Sequence, residues 1–405
     1  MGGMRGIDFH RRRPAGADFL AGNRVLLLEN GAEFFPALLA AIESATREIA
    51  LETYIFAADA TGLRVVAALA AAARRGVAVR VLVDGFGARD FQQGLNTGRV
   101  LAAAGAVVEV YRAEVARLKL RRHRLRRLHR KLAVIDGRIA FVGGINIIDD
   151  DDAVLRGSRF DYAVEVSGPL AGVIHASMRH LWRLVGWAKL KRRPPGLPVS
   201  PPAGETPAGT MAAAFLIRDN LRHRRDIEEA YLAAIAGARA EVLLASAYFL
   251  PGRRFRRALL DAAARGVAVT ILLQGRVEYA LQHYATQALY GNLLGGGVRI
   301  FEYHAGFLHA KVAVVDGCWA TVGSSNIDPF SLLLAREANV AVHDAGFATQ
   351  LSASLRRALD SGASEVALAD LQRRSLPARA VRWLAYSLVR LLLGITRYGG
   401  NDYRE

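Results

Sequence analysis

The chain has almost no cysteine: Cys318 is the only one among its 405 residues. A single cysteine cannot form an intrachain disulfide, and it cannot build a metal site of the cysteine-cluster type. The composition therefore excludes a disulfide-stapled scaffold and permits a reducing compartment. With 52% hydrophobic and 22% charged residues, the chain also lacks the composition of a disordered protein, and its length suffices for two ordinary domains.

Long apolar runs are missing as well. Residues 1–19 contain arginines but no apolar core of the kind found in secretory signals, and no run of about 20 apolar residues predicts a transmembrane helix. The nearest candidate, residues 381–395, is interrupted by Arg382 and Arg390. Its aromatic and basic residues are typical of a helix that lies in a membrane interface. A helix packed on the protein core is the alternative interpretation.

Acidic residues are scarce relative to basic ones, 37 Asp and Glu against 54 Lys and Arg, which gives a formal charge of +17. Such a surplus indicates a polyanionic partner, either nucleic acid or a membrane with anionic lipids. Residues 117–131, RLKLRRHRLRRLHRK, hold nine of the basic residues. Most such runs are solvated loops, but this one leads directly into His129 of the motif described below, which favours guidance of an anion.

Proline is concentrated in one place: residues 191–210 hold six of the twelve prolines. Regular structure cannot run through such a segment, so it predicts a linker. We therefore expect an N-terminal domain at 1–190, a C-terminal domain at 211–375, and a basic amphipathic C-terminal helix at 376–405 as a candidate membrane-interface segment.

The two predicted domains repeat the same order of local patterns. The phrase GVAVRVLVDG at 76–85 corresponds to GVAVTILLQG at 266–275, and each follows an alanine-rich helical stretch. Short β-branched runs bounded by glycine that alternate with helical stretches indicate an α/β fold whose strands are buried on both faces. We expect two similar domains related by a pseudo-two-fold axis.

A longer motif occurs once in each half. HRKLAVID at 129–136 and HAKVAVVD at 309–316 share the pattern H-x-K-x4-D, and both continue to G-[GS]-x-N, offset by 180 residues. The two-residue period of a strand places the histidine and the lysine on one face. Asp136-Gly137 and Asp316-Gly317 predict hairpin turns that return the asparagine to the level of the histidine.

These side chains suit a phosphate group. Lysine supplies a positive charge, asparagine an amide donor, and histidine a nucleophile or a proton donor. A metal site is a weaker alternative because lysine is a poor ligand at neutral pH. The predicted phosphate-binding residues, besides the two His-Lys pairs, are Asn146, Asn326 and Ser324. A single H-x-K pattern usually belongs to an ordinary solvent-facing strand edge with no function. A second complete copy, with the matching Asp, glycine and Asn, makes a chance occurrence improbable.

The two phrases resemble the paired HKD motifs of the phospholipase D superfamily. The flanking words RRLHRKLAVIDGRIAFVGGINIIDD and SSNIDPFS are similar to those of bacterial cardiolipin synthases, especially the B-type branch. The resemblance implies two α/β/α sandwich domains with the active site at their interface, and it implies no metal or organic cofactor. It also implies that the motif residues form one catalytic set: His129, Lys131, Asp136, His309, Lys311 and Asp316.

The resemblance further implies a division of roles. One histidine attacks the phosphodiester to form a phosphohistidine, with His129 favoured, and His309 then serves as general acid and base. A carboxylate further along its own half orients each histidine; the matching positions are Asp161 and Glu337. Asp136 and Asp316 belong to the motif but are expected to hold the turn rather than to touch substrate.

The implied reaction is cardiolipin synthesis: a phosphatidyl group moves from phosphatidylglycerol or phosphatidylethanolamine to phosphatidylglycerol. Two alternatives remain. The same chemistry with water as acceptor would make a phospholipase or a nuclease, and the chain could also be an inactive membrane-surface binding protein on this fold. We expect an anionic phospholipid membrane as partner rather than nucleic acid, no requirement for oligomers, and a peripheral location on the cytoplasmic face of the bacterial inner membrane.

Overall fold

The computed structural model describes residues 18–88, 97–112, 127–152, 157–188, 206–219, 222–328, 335–373 and 375–395. Much of the basic run at 117–131 and of the proline-rich linker at 191–210 lies outside these residues. The first half of the chain contains the following elements: β1 (Leu20–Glu29), α1 (Asn30–Ser44), β2 (Glu48–Thr53), α2 (Ala60–Arg74), β3 (Ala78–Asp84), α3 (Thr97–Ala103), β4 (Val107–Tyr111), β5 (Arg127–Leu128), β6 (Lys131–Ile135), β7 (Ile139–Gly143), β8 (Asp151–Asp152), β9 (Gly157–Phe160), β10 (Tyr162–Ser167) and α4 (Pro169–Ala188).

The second half repeats this order. Its elements are β11 (Met211–Arg218), α5 (Asp226–Gly237), β12 (Glu241–Ser246), α6 (Arg253–Ala264), β13 (Ala268–Gln274), α7 (Ala280–Gln287), α8 (Tyr290–Gly295), β14 (Arg299–Tyr303), β15 (Phe307–Leu308), β16 (Lys311–Val315), β17 (Trp319–Gly323), β18 (Ala335–His343), α9 (Ala345–Gly362), β19 (Ala363–Glu365), α10 (Leu368–Gln372) and α11 (Leu376–Ile395).

One sheet runs through both halves, in the order β19-β14-β13-β12-β16-β17-β18-β11-β1-β10-β7-β6-β2-β3-β4. The antiparallel pair β1–β11 joins the halves in the middle. From this joint outward, β10, β7, β6, β2, β3 and β4 correspond in order to β18, β17, β16, β12, β13 and β14. The repeated sequence has therefore folded into a repeated strand order, and the predicted α/β class is confirmed.

Helices cover both faces of the sheet, which is why its inner strands are almost wholly apolar. In the first half, α1 and α2 pack on one face around Ile42, Val65 and Leu69. On the other face, residues of α4 and α9 share a single core with strands of both halves, including Ile174 and Leu351. This shared core holds the two halves together beneath the site described next.

The predicted hairpin turns are present in both halves. Asp136 and Gly137 have φ values of 52° and 67°, and Asp316 and Gly317 have 50° and 61°. Positive φ at both central residues is the type I′ turn that connects β6 to β7 and β16 to β17 with the proper twist. The register pairs Lys131 with Gly143, so the chain beyond β7 returns to the level of the histidine.

No helix among the residues described is long and apolar enough to cross a membrane. The final helix α11 packs on the second half through Ala385 and Val389, which belong to the core around α5 and α6. Its other side exposes large apolar side chains, including Trp383 at 66% and Leu391 at 59%. One face of this helix is therefore packed on the protein core, and membrane contact by the exposed face stays a prediction.

Candidate active site

Each motif histidine sits just before a strand, in a short segment held by the other half of the chain. His129 precedes β6, and its backbone N–H donates to the carbonyl of Arg336 at 3.0 Å. His309 precedes β16, and its N–H donates to the carbonyl of Phe160 at 2.8 Å. The two-residue strands β5 and β15 pair with β18 and β9 in the same crossed manner. The histidines therefore stand at the seam between the halves.

The crossing decides which carboxylate meets which histidine. Nδ1 of His129 lies 3.0 Å from the carboxylate of Glu337, and Nδ1 of His309 lies 2.5 Å from Asp161. The expectation that each histidine is oriented by a carboxylate of its own half is wrong. The reason lies in the two short strands that precede the histidines. Strand β5, before His129, pairs with β18, which contains Glu337. Strand β15, before His309, pairs with β9, which ends just before Asp161.

Both histidines are neutral at neutral pH in this arrangement. Burial, reinforced by Lys311, lowers the pKa of His309 to about 3 although Asp161 opposes the shift. Burial also lowers the pKa of His129. A carboxylate can only accept, so each Nδ1 carries the proton and each Nε2 carries the lone pair. The histidine side chains retain 17% and 19% exposure, so a reacting group can reach them.

The two carboxylates differ in how they are supported. Burial alone would raise the pKa of Asp161, but Lys311 and His309 hold it below its ordinary value. Glu337 instead accepts a hydrogen bond of 2.6 Å from the hydroxyl of Ser324. This contact corrects the expectation that Ser324 binds phosphate: its fully buried hydroxyl supports the orienting carboxylate.

Two buried lysines complete the set. Lys131 and Lys311 are 5% and 1% exposed, and each ammonium donates to the backbone carbonyl of the histidine two residues earlier. Burial, with repulsion from Lys311, lowers the pKa of Lys131 to about 7 although Glu337 opposes the shift. Burial lowers the pKa of Lys311 to about 8. The charge of Lys311 lowers the pKa of Lys131, which belongs to the other motif. The charged groups of the two motifs therefore interact and form one site.

The two motif asparagines, which follow the His-Lys pairs along the chain, are buried. Asn146 is 4% exposed, and its amide oxygen accepts the N–H of Ile55 at 3.1 Å. That bond fixes the orientation of the amide and leaves its NH2 group as the donating end. Asn326, the equivalent residue, is 3% exposed.

The motif aspartates do not join the site. The carboxylate of Asp136 accepts the N–H groups of Thr46, Arg47 and Glu48 at 2.8–2.9 Å, and Asp316 does the same at the start of β12. Seven residues of extended chain, about 23 Å, separate each aspartate from its histidine. Their inclusion in the catalytic set is corrected: both bind the hairpin turn to the neighbouring strand.

Sequence reasoning missed several residues at the carboxyl ends of the parallel strands. The ring of Tyr54 lies 4.9 Å from the ring of His129, and Lys131 Nζ lies 5.4 Å from the centre of the same tyrosine. Asp84 accepts the N–H of Leu128 at 2.8 Å. The strand-end position was the available signal, because ligand sites of α/β sheets collect there.

Comparisons with known proteins identify the relatives of this chain. A family model described as the PLD-like domain of cardiolipin synthase matches residues 38–182 and 231–359, in both halves. The chain is 39% identical over 365 residues to cardiolipin synthase B of Escherichia coli strain K12, covering 87% of this chain and 84% of that protein. It is 31% identical over 347 residues to cardiolipin synthase A of Cronobacter sakazakii, covering 84% and 70%.

A solved structure has the same fold. The phosphatidylserine synthase of Haemophilus influenzae Rd KW20 superposes with a TM-score of 0.66 at 13% identity, over 95% of this chain and 97% of that one. At such low identity the likeness shows the fold alone. The family match and the curated relatives, by contrast, span both histidine motifs and most of the chain, so this protein belongs to the cardiolipin synthase family of the phospholipase D superfamily.

Proposed function

We propose that the protein transfers a phosphatidyl group from phosphatidylglycerol or phosphatidylethanolamine to the headgroup hydroxyl of phosphatidylglycerol, which yields cardiolipin. The observation that supports this most is the crossed pair of His–carboxylate contacts, of 3.0 and 2.5 Å, together with the two buried lysines of the motifs. Two neutral imidazoles and two cations suit an anionic phosphodiester. One imidazole can attack phosphorus while the other handles the proton of the alcohol.

In this mechanism His129 is the nucleophile. Its Nε2 lone pair attacks phosphorus, and the bond to the headgroup oxygen breaks as the histidine–phosphorus bond forms. The bound phosphodiester anion favours the charged form of His309, so its Nε2 takes up a proton when the substrate binds. His309 gives this proton to the departing oxygen and later removes the proton of the incoming hydroxyl. The shorter contact of His309 with Asp161, 2.5 Å against 3.0 Å, supports this assignment because a close carboxylate stabilises the imidazolium that an acid requires.

The lysines and asparagines provide charge and hydrogen bonds to the phosphoryl oxygens. Negative charge on these oxygens grows in the transition state, and pre-placed donors stabilise it without reorganisation. A bound phosphodiester also raises the pKa of Lys131 and Lys311 from about 7 and about 8. Both ammonium groups are therefore charged when the substrate is present.

We propose that the protein acts at the surface of an anionic bilayer, on the cytoplasmic face of the membrane. The exposed side of α11 carries Trp383, Leu384, Leu388 and Leu391, an arrangement that suits burial among lipid headgroups and the first part of the acyl chains. Arg390 lies over the Tyr386 ring at 5.7 Å on the same helix. The formal charge of +17 adds attraction of about 1 kcal/mol for each basic residue close to the membrane.

Hydrolysis of a phosphodiester by the same residues remains the second candidate, since nothing in the paired motif itself excludes water as acceptor. The decisive experiment incubates purified protein with phosphatidylglycerol vesicles, alone and then with labelled phosphatidylethanolamine, and analyses the lipids by mass spectrometry. Cardiolipin as the main product supports transfer, and the label identifies the donor. Phosphatidic acid as the main product would instead assign a phospholipase D activity.

A further inference from the structure

A polar pocket adjoins the second histidine at the carboxyl ends of β12 and β13. Its lining includes Ala247, Tyr248, Gln274, Glu278 and His283. Two of these residues also hold the backbone on either side of His309. The N–H of Ala247 donates to the carbonyl of Ala310 at 3.0 Å, and the amide oxygen of Gln274 accepts the N–H of Leu308 at 3.4 Å. The pocket wall is thus hydrogen-bonded to the backbone immediately before and after His309.

Gln274 offers a hydrogen-bond donor that nothing in the described structure uses. Its side chain is 8% exposed, and among the residues described its buried Nε2 has no hydrogen-bond partner. The amide cannot be turned to satisfy this nitrogen, because its oxygen must face the Leu308 N–H. An unsatisfied buried donor is costly in a folded protein, so a ligand oxygen is the natural partner.

The equivalent residue in the first half, Asp84, has no such unpartnered donor. Asp84 ends β3 as Gln274 ends β13, but its carboxylate is occupied by three backbone donors: it accepts the N–H groups of Leu128, Phe86 and Gly87 at 2.8, 2.8 and 3.3 Å. A carboxylate also has no proton to donate at neutral pH. The orphan donor is therefore a property of the His309 side of the site.

The same pocket carries hydrogen-bond acceptors. The hydroxyl of Tyr248 donates to the carboxylate of Glu278, and burial together with Glu278 raises the pKa of Tyr248, so the phenol stays protonated. A donor from Gln274 and an acceptor from Glu278 in one small pocket match a group that both accepts and donates. Arg276 lines the same pocket and lies 5.9 Å from the Phe307 ring, and its positive charge offsets that of Glu278, so the pocket has no net negative charge to select an ammonium group.

We propose that this pocket binds a small polyol headgroup, of the glycerol type, as the alcohol that leaves or enters beside His309. This inference rests on the proposed transfer function and adds its alcohol specificity. On departure, the phosphorus–oxygen bond to the polyol breaks and its oxygen takes the proton of the His309 imidazolium. On entry, a polyol hydroxyl gives its proton to His309 while its oxygen bonds to phosphorus and the histidine–phosphorus bond breaks.

The test measures alcohol preference within one enzyme sample. Full-length protein receives phosphatidylglycerol in micelles with equal amounts of isotopically labelled glycerol and propan-1-ol, and mass spectrometry quantifies both exchange products. The wild type is expected to favour glycerol over propanol. The variants Glu278→Gln and Gln274→Leu are expected to reduce this ratio by roughly tenfold, because a site built to bind a hydroxyl loses that advantage when its partners are removed.

Glu229→Gln is the matched control, since Glu229 is a carboxylate paired with Arg254 on the helical surface and its loss should leave the ratio unchanged. Because both products come from the same sample, a lower folded fraction of Gln274→Leu does not change the ratio, and Glu278→Gln alters an exposed side chain. If both pocket variants kept the wild-type ratio of glycerol to propan-1-ol products, the pocket assignment would be overturned and the proposed transfer function would be unaffected. Phosphatidic acid as the sole wild-type product would overturn the transfer function itself, and this inference with it.

Discussion

Substrate binding should depend steeply on pH because the two lysines lose their charge just above neutrality in the empty site. The pKa of Lys131 is lowered to about 7 and that of Lys311 to about 8. A bound phosphodiester favours the charged forms, so affinity is full below pH 6 and falls as the pH rises through both values. If binding requires both ammonium groups, the affinity between pH 6 and pH 9 falls by roughly a thousandfold.

The same values predict proton uptake. At pH 7.5 the lysines together lack about one proton in the empty site, and binding restores it. Isothermal titration with glycerophosphoglycerol, a soluble phosphodiester of constant charge in this range, measures both quantities in buffers of different ionisation enthalpy. Lys131→Met should remove most of the uptake at this pH. An affinity that stays flat from pH 6 to pH 9, with no proton taken up, would refute the argument that these lysines are poised near neutrality.

Four further predictions concern single contacts. Glu337→Gln should lower kcat roughly 10²- to 10⁴-fold in the lipid assay with little change in KM, because the amide cannot stabilise imidazolium at the histidine it contacts. Gly144→Ser should lower kcat about a hundredfold, since a Cβ there would lie 2.3 Å from Asp161 Oδ1. Asp136→Ala should lower the free energy of unfolding by about 2 kcal/mol in urea titration through lost backbone hydrogen bonds, while the surviving folded protein keeps its kcat. Leu391→Ser should weaken sedimentation with anionic vesicles roughly thirtyfold, because this leucine is 59% exposed and its burial in lipid contributes about 2 kcal/mol.

Two of these predictions have a matched control variant, and the other two have a stated outcome that would contradict them. Ser324→Gly, at the position equivalent to Gly144, should reduce kcat less than Gly144→Ser, since it removes one hydrogen bond to Glu337 and creates no overlap. Leu63→Ser alters a leucine of α2 that is 41% exposed and should leave vesicle binding unchanged. Full kcat in Glu337→Gln would contradict the orienting role, and a large loss of kcat in folded Asp136→Ala would return that aspartate to the catalytic set.

Much of the fold followed from the repeat. Two copies of one order of strand-like and helical phrases, separated by a proline-rich stretch, predicted an α/β fold built twice, and the sheet shows that order on both sides of β1 and β11. The Asp-Gly pairs predicted the hairpin turns because few residues other than Asn, Asp and Gly tolerate the positive φ that such turns require. These inferences succeeded because they depend on local sequence.

The pairing of histidines with carboxylates could not be predicted in the same way. Asp161 and Glu337 follow the two motif histidines at similar distances in sequence, so spacing fits pairing within a half as well as pairing across the halves. Only the short strands β5 and β15 decide between them, and they pair through backbone atoms that carry no sequence signal. Ser324 was misjudged for a related reason, because its contact with Glu337 depends on β17 lying beside β18.

The central claim is that the two histidines act on one phosphorus atom, with His129 as the nucleophile. His309→Ala should still react with a p-nitrophenyl phosphatidyl ester, whose leaving group needs no acid, but it cannot activate the second alcohol. Rapid acid-free digestion and mass spectrometry should therefore find a phosphatidyl adduct on His129 in this variant, and none in His129→Ala. An adduct on neither histidine, or one that forms on His309 in His129→Ala alone, would contradict the account.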